Sequence, residues 1–175
     1  DHARAARAMS AIADIRISRQ EFKEVLKSSR AAVDVCKASG DRHGEARHWL
    51  AIADARVEQL RVVDQATGGG TGNARPRRLM DALMAAKEAL HLFRQLGDGE
   101  GEAAALQNLA RVYVLKQELQ LAVEAAAESA AVAKALGEFH GAAQALLVEA
   151  SAHLNAVGTP WGAGGEDGSG TPEKQ

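Results

Sequence analysis

Few residues of this chain combine the type and the spacing that catalysis or metal binding requires. His43 and His48 are five residues apart, so on a helix their side chains point about 140° apart and cannot share a metal ion. The sequence suggests no Ser-His-Asp or Cys-His arrangement. Paired acids such as Glu124 and Glu128 fit an exposed helix face better than a cleft. We therefore expect no catalytic residue, no metal site and no cofactor, and a protein that is not an enzyme.

A glycine-rich stretch, Gly68-Gly69-Gly70-Thr71-Gly72, is the nearest match to a phosphate-binding loop. A dinucleotide loop follows a strand and a P-loop ends in Gly-Lys-Ser/Thr, and neither feature is present. We interpret the stretch as a flexible insertion near residues 65–76. Beside it, Arg75, Arg77 and Arg78 concentrate positive charge at the start of a predicted helix, where they oppose the helix dipole. They are either a solvated run of charges or a secondary docking site for an acidic partner or an anionic head group.

Composition argues against several classes of function. Lys plus Arg (21) nearly balances Asp plus Glu (23), so no overall field draws the chain to nucleic acid or to an anionic membrane. No apolar run approaches the roughly 18 residues of a membrane span, so we expect a soluble intracellular protein, although a partner complex could be membrane-bound. The lone Cys36 is interpreted as a small buried apolar residue. Because the chain begins at Asp1 without Met, a cleaved targeting segment upstream is one interpretation, and a cytoplasmic or organellar location stays open.

One junction pattern occurs three times, as a Gly-Asp or Gly-Glu step followed by Gly and Ala. Its copies are Ser39-Gly40-Asp41-Arg42-His43-Gly44-Glu45-Ala46, Leu96-Gly97-Asp98-Gly99-Glu100-Gly101-Glu102-Ala103 and Leu136-Gly137-Glu138-Phe139-His140-Gly141-Ala142-Ala143. Gly97 and Gly137 are 40 residues apart, whereas 57 residues separate Gly40 from Gly97. The glycine-rich insertion accounts for the extra 17 residues, as expected of a repeat array that varies by loop insertion. The same 40-residue offset relates Ile52 to Ile12, so the N-terminal segment is a further copy.

Small or apolar residues at helical spacing predict an all-α fold of seven helices without strands. The predicted helices lie near residues 3–17, 20–38, 43–64, 77–95, 100–115, 118–135 and 139–156. The Gly of each Gly-Asp step should end one helix in the left-handed conformation, and the Asp should cap the next helix. Pro76 suits the first turn of the fourth helix. The repeats form one domain over residues 1–157, followed by an extended Gly/Pro-rich tail over residues 158–175, in which Trp161 is the one large side chain suited to docking in a groove.

The third copy resembles a tetratricopeptide repeat. Its segment Leu106-Gln107-Asn108-Leu109-Ala110-Arg111-Val112-Tyr113, with Leu119 and Ala122 after it, places Leu106, Leu109, Ala110, Tyr113 and Ala122 at signature positions. The forty-residue spacing looks like the longer variant found in scaffold and adaptor proteins. The chain departs from the family pattern where Gln20 and Gln117 replace the usual glycine between the two helices of a repeat. The resemblance implies an α-solenoid of stacked antiparallel helix pairs, with about three and a half repeats.

The resemblance also implies a binding surface. In this family the first helix of each repeat lines a concave wall that commonly holds an extended or helical peptide. Carried over by position, the partner-binding residues are Arg7, Asp14, Arg47, Asp54, Gln107, Asn108, Arg111, Gln144 and Ser151, with Ser10, Leu50 and Leu147 beside them. Amides suit a peptide backbone and the charged groups suit its side chains. The alternative is an ordinary solvated helix face.

We therefore expect a non-catalytic protein-protein interaction scaffold or an accessory subunit of a larger complex. Its partner would be another protein, a peptide or a subunit, with no nucleic acid and no direct membrane insertion. Two alternatives stay open. One is a purely structural spacer packed through the convex faces of its second helices, where the Ala-rich residues 122–135 offer a flat surface. The other is a helical-repeat sensor of a small ligand.

Overall fold

The computed structural model describes residues 12–13, 15–67, 74–137 and 148, and this part of the chain is all-α, without a β-strand. Five helices follow one another: α1 (Phe22–Ser39), α2 (Arg42–Thr67), α3 (Arg75–Leu96), α4 (Gly99–Lys116) and α5 (Leu119–Ala135). Residues 15–18 are also helical. The all-α prediction is confirmed, and each of the five helices begins and ends within three residues of a predicted boundary. Most of the predicted helix 3–17, the predicted helix 139–156 and the tail lie outside the described residues.

The junctions between helices are built as the Gly-Asp pattern predicts. The glycines that end α1 and α3 have φ of 73° and 66°, in the left-handed region that glycine adopts without steric cost. The Asp98 carboxylate then accepts a hydrogen bond of 3.0 Å from the Gly101 backbone N–H. Asp41 accepts the equivalent bond of 2.9 Å from Gly44. Both aspartates therefore cap the helix that follows them, which confirms the prediction.

The second glycine of the repeated pattern has a different role, because it lies where two successive helices approach closely. A Cβ atom on Gly101 would collide with the ring of Phe93, which is only 1% exposed. A Cβ atom on Gly44 would lie 2.8 Å from the Cys36 sulfur and would collide with the Asp41 carboxylate. The pattern thus repeats because the same tight contact between helices recurs.

Two glutamines have backbone conformations in the left-handed region that favours glycine. Gln20, before α1, has φ of 61°, and Gln117, between α4 and α5, has φ of 64°. A residue with a Cβ in this region costs about 1 kcal/mol or more relative to glycine. Both turns therefore use the left-handed conformation without a glycine.

Consecutive helices pack against each other, and α2 also packs against α4. The α2 and α3 helices run antiparallel, since Arg42 at the start of α2 donates to Gln95 near the end of α3 at 2.7 Å. The core consists largely of alanine and leucine, and Ala53, Ala86 and Ala110 are completely buried. Such small side chains let helix axes come close together at interior packing density. No helix in the described part of the chain is long and apolar enough to cross a membrane.

Candidate binding surface on helices α2 and α4

The predicted partner-binding residues of the second and third copies lie on α2 and α4, and charged residues pair across the contact between these helices. The Arg111 guanidinium on α4 lies 3.7 Å from the Asp54 carboxylate on α2. Near the start of both helices, Arg47 lies 3.9 Å from Asp98. The N-terminal parts of the two helices lie side by side, so α2 and α4 run parallel. We call the side of α2 and α4 that carries Arg47, Asp54, Gln107 and Arg111 the α2–α4 face.

Sequence reasoning missed Glu58, which also accepts a hydrogen bond from Arg111. Glu58 follows Asp54 by four residues, so the two carboxylates share one side of α2, and that spacing is the signal that could have found it. Burial alone would raise the pKa of Glu58. The hydrogen bond from Arg61 and the positive charges of Arg111 and Arg61 outweigh burial, so the pKa lies below its usual value.

The amides of this surface differ in their exposure. Gln107 is half-buried and interacts with neighbouring groups. Asn108 is only 3% exposed, and its side-chain oxygen accepts no hydrogen bond from any residue that the structure describes. Asn108 therefore lies in the interior of the helix packing, whereas Arg47, Asp54 and Arg111 each keep about a third of their side chains exposed. The predicted residues Arg7, Asp14, Gln144 and Ser151 lie outside the described part of the chain.

The three arginines of the predicted secondary docking site have different surroundings. Arg75 binds Asp64 through two hydrogen bonds, of 3.1 and 3.0 Å, and also donates to the backbone oxygen of Leu115 at 3.0 Å. The hydrogen bond to Asp64 raises the pKa of Arg75. Arg75 thus ties together the end of α2, the start of α3 and the end of α4, which is a structural role. Arg77 is exposed, and Arg78 is half-buried beside α1 and α2. Trp161, the fourth predicted docking residue, lies outside the described residues.

Two further titratable groups, Cys36 and His48, have shifted pKa values. Cys36 is half-buried, more exposed than expected of a core residue. Burial and the negative charges of Asp41 and Glu45 raise the pKa of its thiol, which disfavours the reactive thiolate. Burial lowers the pKa of His48, although Asp41 opposes this effect. Among the described residues, no group of three or more His, Cys, Asp or Glu side chains is placed to hold a metal ion.

Comparison of the chain with protein-family models and with curated proteins finds no match. The tetratricopeptide resemblance thus rests on the residues quoted above, and it stays a prediction.

Proposed function

We propose that this chain is a tetratricopeptide-like α-solenoid that acts as a non-catalytic scaffold or accessory subunit and binds a segment of another protein on the α2–α4 face. The observation that carries the proposal is the parallel contact between α2 and α4. These are the first helices of two successive copies of the repeat, and they pack against each other.

The order of helix contacts supports a stacked arrangement. Each helix contacts its neighbours in the chain, and the contact between second neighbours joins α2 to α4. A two-helix unit cannot bury its apolar side alone, so contact between the first helices of successive units is expected when units stack in one direction. The pairing of Arg111 with Asp54 supports the same arrangement, since the two residues occupy equivalent positions in their copies.

The chemistry of the α2–α4 face supports protein binding. It offers an amide beside charges of both signs, and Arg47, Asp54 and Arg111 are each about one-third exposed. Ion pairs at this exposure can break and re-form with a charged group of a partner at a modest cost in free energy, because solvent screens them. A polar surface of this kind suits a peptide segment with both amide and charged groups.

Because Arg111 and Asp54 pair with each other, removing either residue would disturb the stacking as well as the surface. The decisive variant is therefore the exchange Asp54→Arg with Arg111→Asp, which keeps opposite charges across the contact and places the new cation four residues from Glu58, within pairing reach on α2. The control is the exchange Lys87→Glu with Glu88→Lys on exposed positions of α3, which also leaves the net charge unchanged. In affinity purification from the source cells, we expect the first exchange to remove a defined set of partners that the control retains. Retention of the whole set by both variants would reject the α2–α4 face as the binding surface.

A second candidate function has a specific observation in its favour. On α3 the side chains of Met80 and Met84 are 53% and 59% exposed, and on α5 Leu121 is 42% exposed. Exposed apolar side chains on the second helices suit a structural spacer that is packed within a larger assembly. Replacement of Met80 and Met84 by Gln would then release the chain from its assembly, whereas the scaffold proposal predicts no change.

A further inference from the structure

A basic cleft opens between α1, α2 and α3, away from the residues that pair across the α2–α4 contact. Its volume is about 510 Å³. It is lined by Lys23, Leu26, Lys27, Arg30, Arg56, Gln59 and Arg78. Five of these seven side chains are cationic and none is acidic, although the whole chain carries a formal net charge of only −2. The positive charge therefore results from the fold, which collects cations from three helices.

One carboxylate partly offsets this charge. Asp81 lies 2.9 Å from Arg56 and 3.4 Å from Arg30. Among the described residues, no carboxylate pairs with Lys23, Lys27 or Arg78. The cluster carries a clear excess of positive charge in one small volume.

Stability alone does not favour this arrangement. Lys23 and Lys27 are four residues apart on α1, a spacing at which like charges destabilise a helix. Arg56 is 14% exposed, and no acceptor in the described part of the chain bonds to its buried Nε–H. Burial lowers the pKa of Arg56, Asp81 opposes this, and the positive charges of Arg30 and Arg78 lower it further. A bound anion would relieve the repulsion among these cations.

We propose that this basic cleft binds a soluble small molecule that carries two or more clustered phosphate groups. Three guanidiniums favour phosphate, because the planar fork of Arg donates two parallel hydrogen bonds to phosphate oxygens. The cleft volume lies within the range of about 300 to 1,000 Å³ that is typical of small-ligand sites. Leu26 is the one apolar residue among the seven that line the cleft, and the polar groups of the cleft are mainly cationic. Gln59 accepts a hydrogen bond from Arg56 at 2.9 Å, which orients the guanidinium at the cleft wall.

The test is a calorimetric titration of the full chain with sodium tripolyphosphate at low salt, with inorganic monophosphate for comparison. We expect tripolyphosphate to bind at least about tenfold more tightly, since each added charge-assisted hydrogen bond contributes about a factor of ten. Lys23→Glu with Lys27→Glu should weaken binding by about tenfold or more, and so should Arg78→Gln. Both lysines are exposed, so the fold should persist, which far-UV circular dichroism checks.

The matched control is Lys87→Glu with Lys134→Glu, two exposed lysines outside the cleft that give the same change in net charge. It should change the affinity by no more than about twofold, because neither lysine lines the cleft and separated exposed charges interact weakly through solvent. Equal loss of binding in the control and in the cleft variants would overturn the proposal, as would no binding of tripolyphosphate to the wild-type chain.

Two further arms separate the sources of anionic groups. Vesicles of phosphatidylcholine with a bisphosphorylated phosphoinositide test a lipid head group, and a tetraglutamate peptide tests an acidic protein segment. The proposal predicts that tripolyphosphate competes with both ligands and binds most tightly. Binding to the vesicles or to the peptide without binding to tripolyphosphate would contradict it.

Discussion

The ion pair between Arg111 and Asp54, 3.7 Å apart, joins the same position in two successive copies of the repeat. Their separation in sequence is 57 residues, equal to the separation of Gly40 and Gly97. Equivalent positions of two successive copies therefore lie next to each other, and a basic residue of one copy pairs with an acidic residue of the copy before it. This pair favours the observed register of α2 against α4.

The first prediction concerns the energy of this pair. Arg111→Ala should lower the free energy of unfolding by about 1 kcal/mol, because it leaves two carboxylates without their shared cation in a half-buried position. In a double-mutant cycle with Asp54→Ala, urea denaturation should give a coupling energy of about 0.5 to 1 kcal/mol. The control is Arg61→Ala, whose side chain is 55% exposed and should contribute less than about 0.5 kcal/mol. Additive effects of Asp54→Ala and Arg111→Ala would show that the pair does not couple the helices.

The second prediction concerns the second glycine of the repeated pattern. Gly101→Ala should destabilise the fold by about 1 to 3 kcal/mol, because the new methyl group collides with the buried Phe93 ring. The control is Gly99→Ala in the same turn, where the nearest atom is a flexible Leu136 methyl group at 3.1 Å. That change should be close to neutral in thermal unfolding. Equal midpoints for the two variants would show that the tight contact is not required.

The third prediction is a dependence of stability on pH that originates at Glu58. Its pKa is depressed in the folded chain below the ordinary value of 4.5, so its contribution is fully present above that pH. The contribution is lost as the pH falls through the lower, folded-state pKa. Urea denaturation between about pH 5 and pH 3 should therefore show a steeper loss of stability for the wild type than for Glu58→Gln. Parallel curves for the two proteins would contradict the assignment.

The fourth prediction concerns Arg75, which binds Asp64 and the Leu115 backbone oxygen together. Arg75→Lys should cost about 1 to 2 kcal/mol, because an ammonium group cannot reproduce the two parallel hydrogen bonds to the carboxylate. Arg77→Lys is the matched control, since Arg77 is exposed and only two residues away. Chemical denaturation of the two variants measures the difference, and similar losses would exclude the bridging role.

Much of the fold was accessible from sequence, because its causes are local. Asp98 caps α4 and the preceding glycine turns left-handed for reasons contained within a few residues. The helical spacing of the small residues then predicts which side of each helix is buried. The predicted helix over residues 43–64 ends three residues before the observed end of α2 at Thr67, because no sharp stop signal precedes the glycine-rich insertion.

The electrostatic partners were not accessible from sequence, because they depend on how the helices register in space. The resemblance placed Arg47, Asp54 and Arg111 on one surface, but it did not indicate that they pair with Asp98, Glu58 and each other. The basic cleft is a stronger case of the same difficulty. Its cations come from three helices, and of the five only Arg78 was singled out from the sequence.

Site-specific photocrosslinking can show whether a partner protein touches the α2–α4 face. A photoreactive phenylalanine analogue at Gln107 on that face is compared with the same group at Met84, which is 59% exposed on α3. We expect a defined crosslinked adduct from position 107 and none from position 84 in cells that express each variant. An adduct from position 84 alone would contradict it and would favour packing through α3.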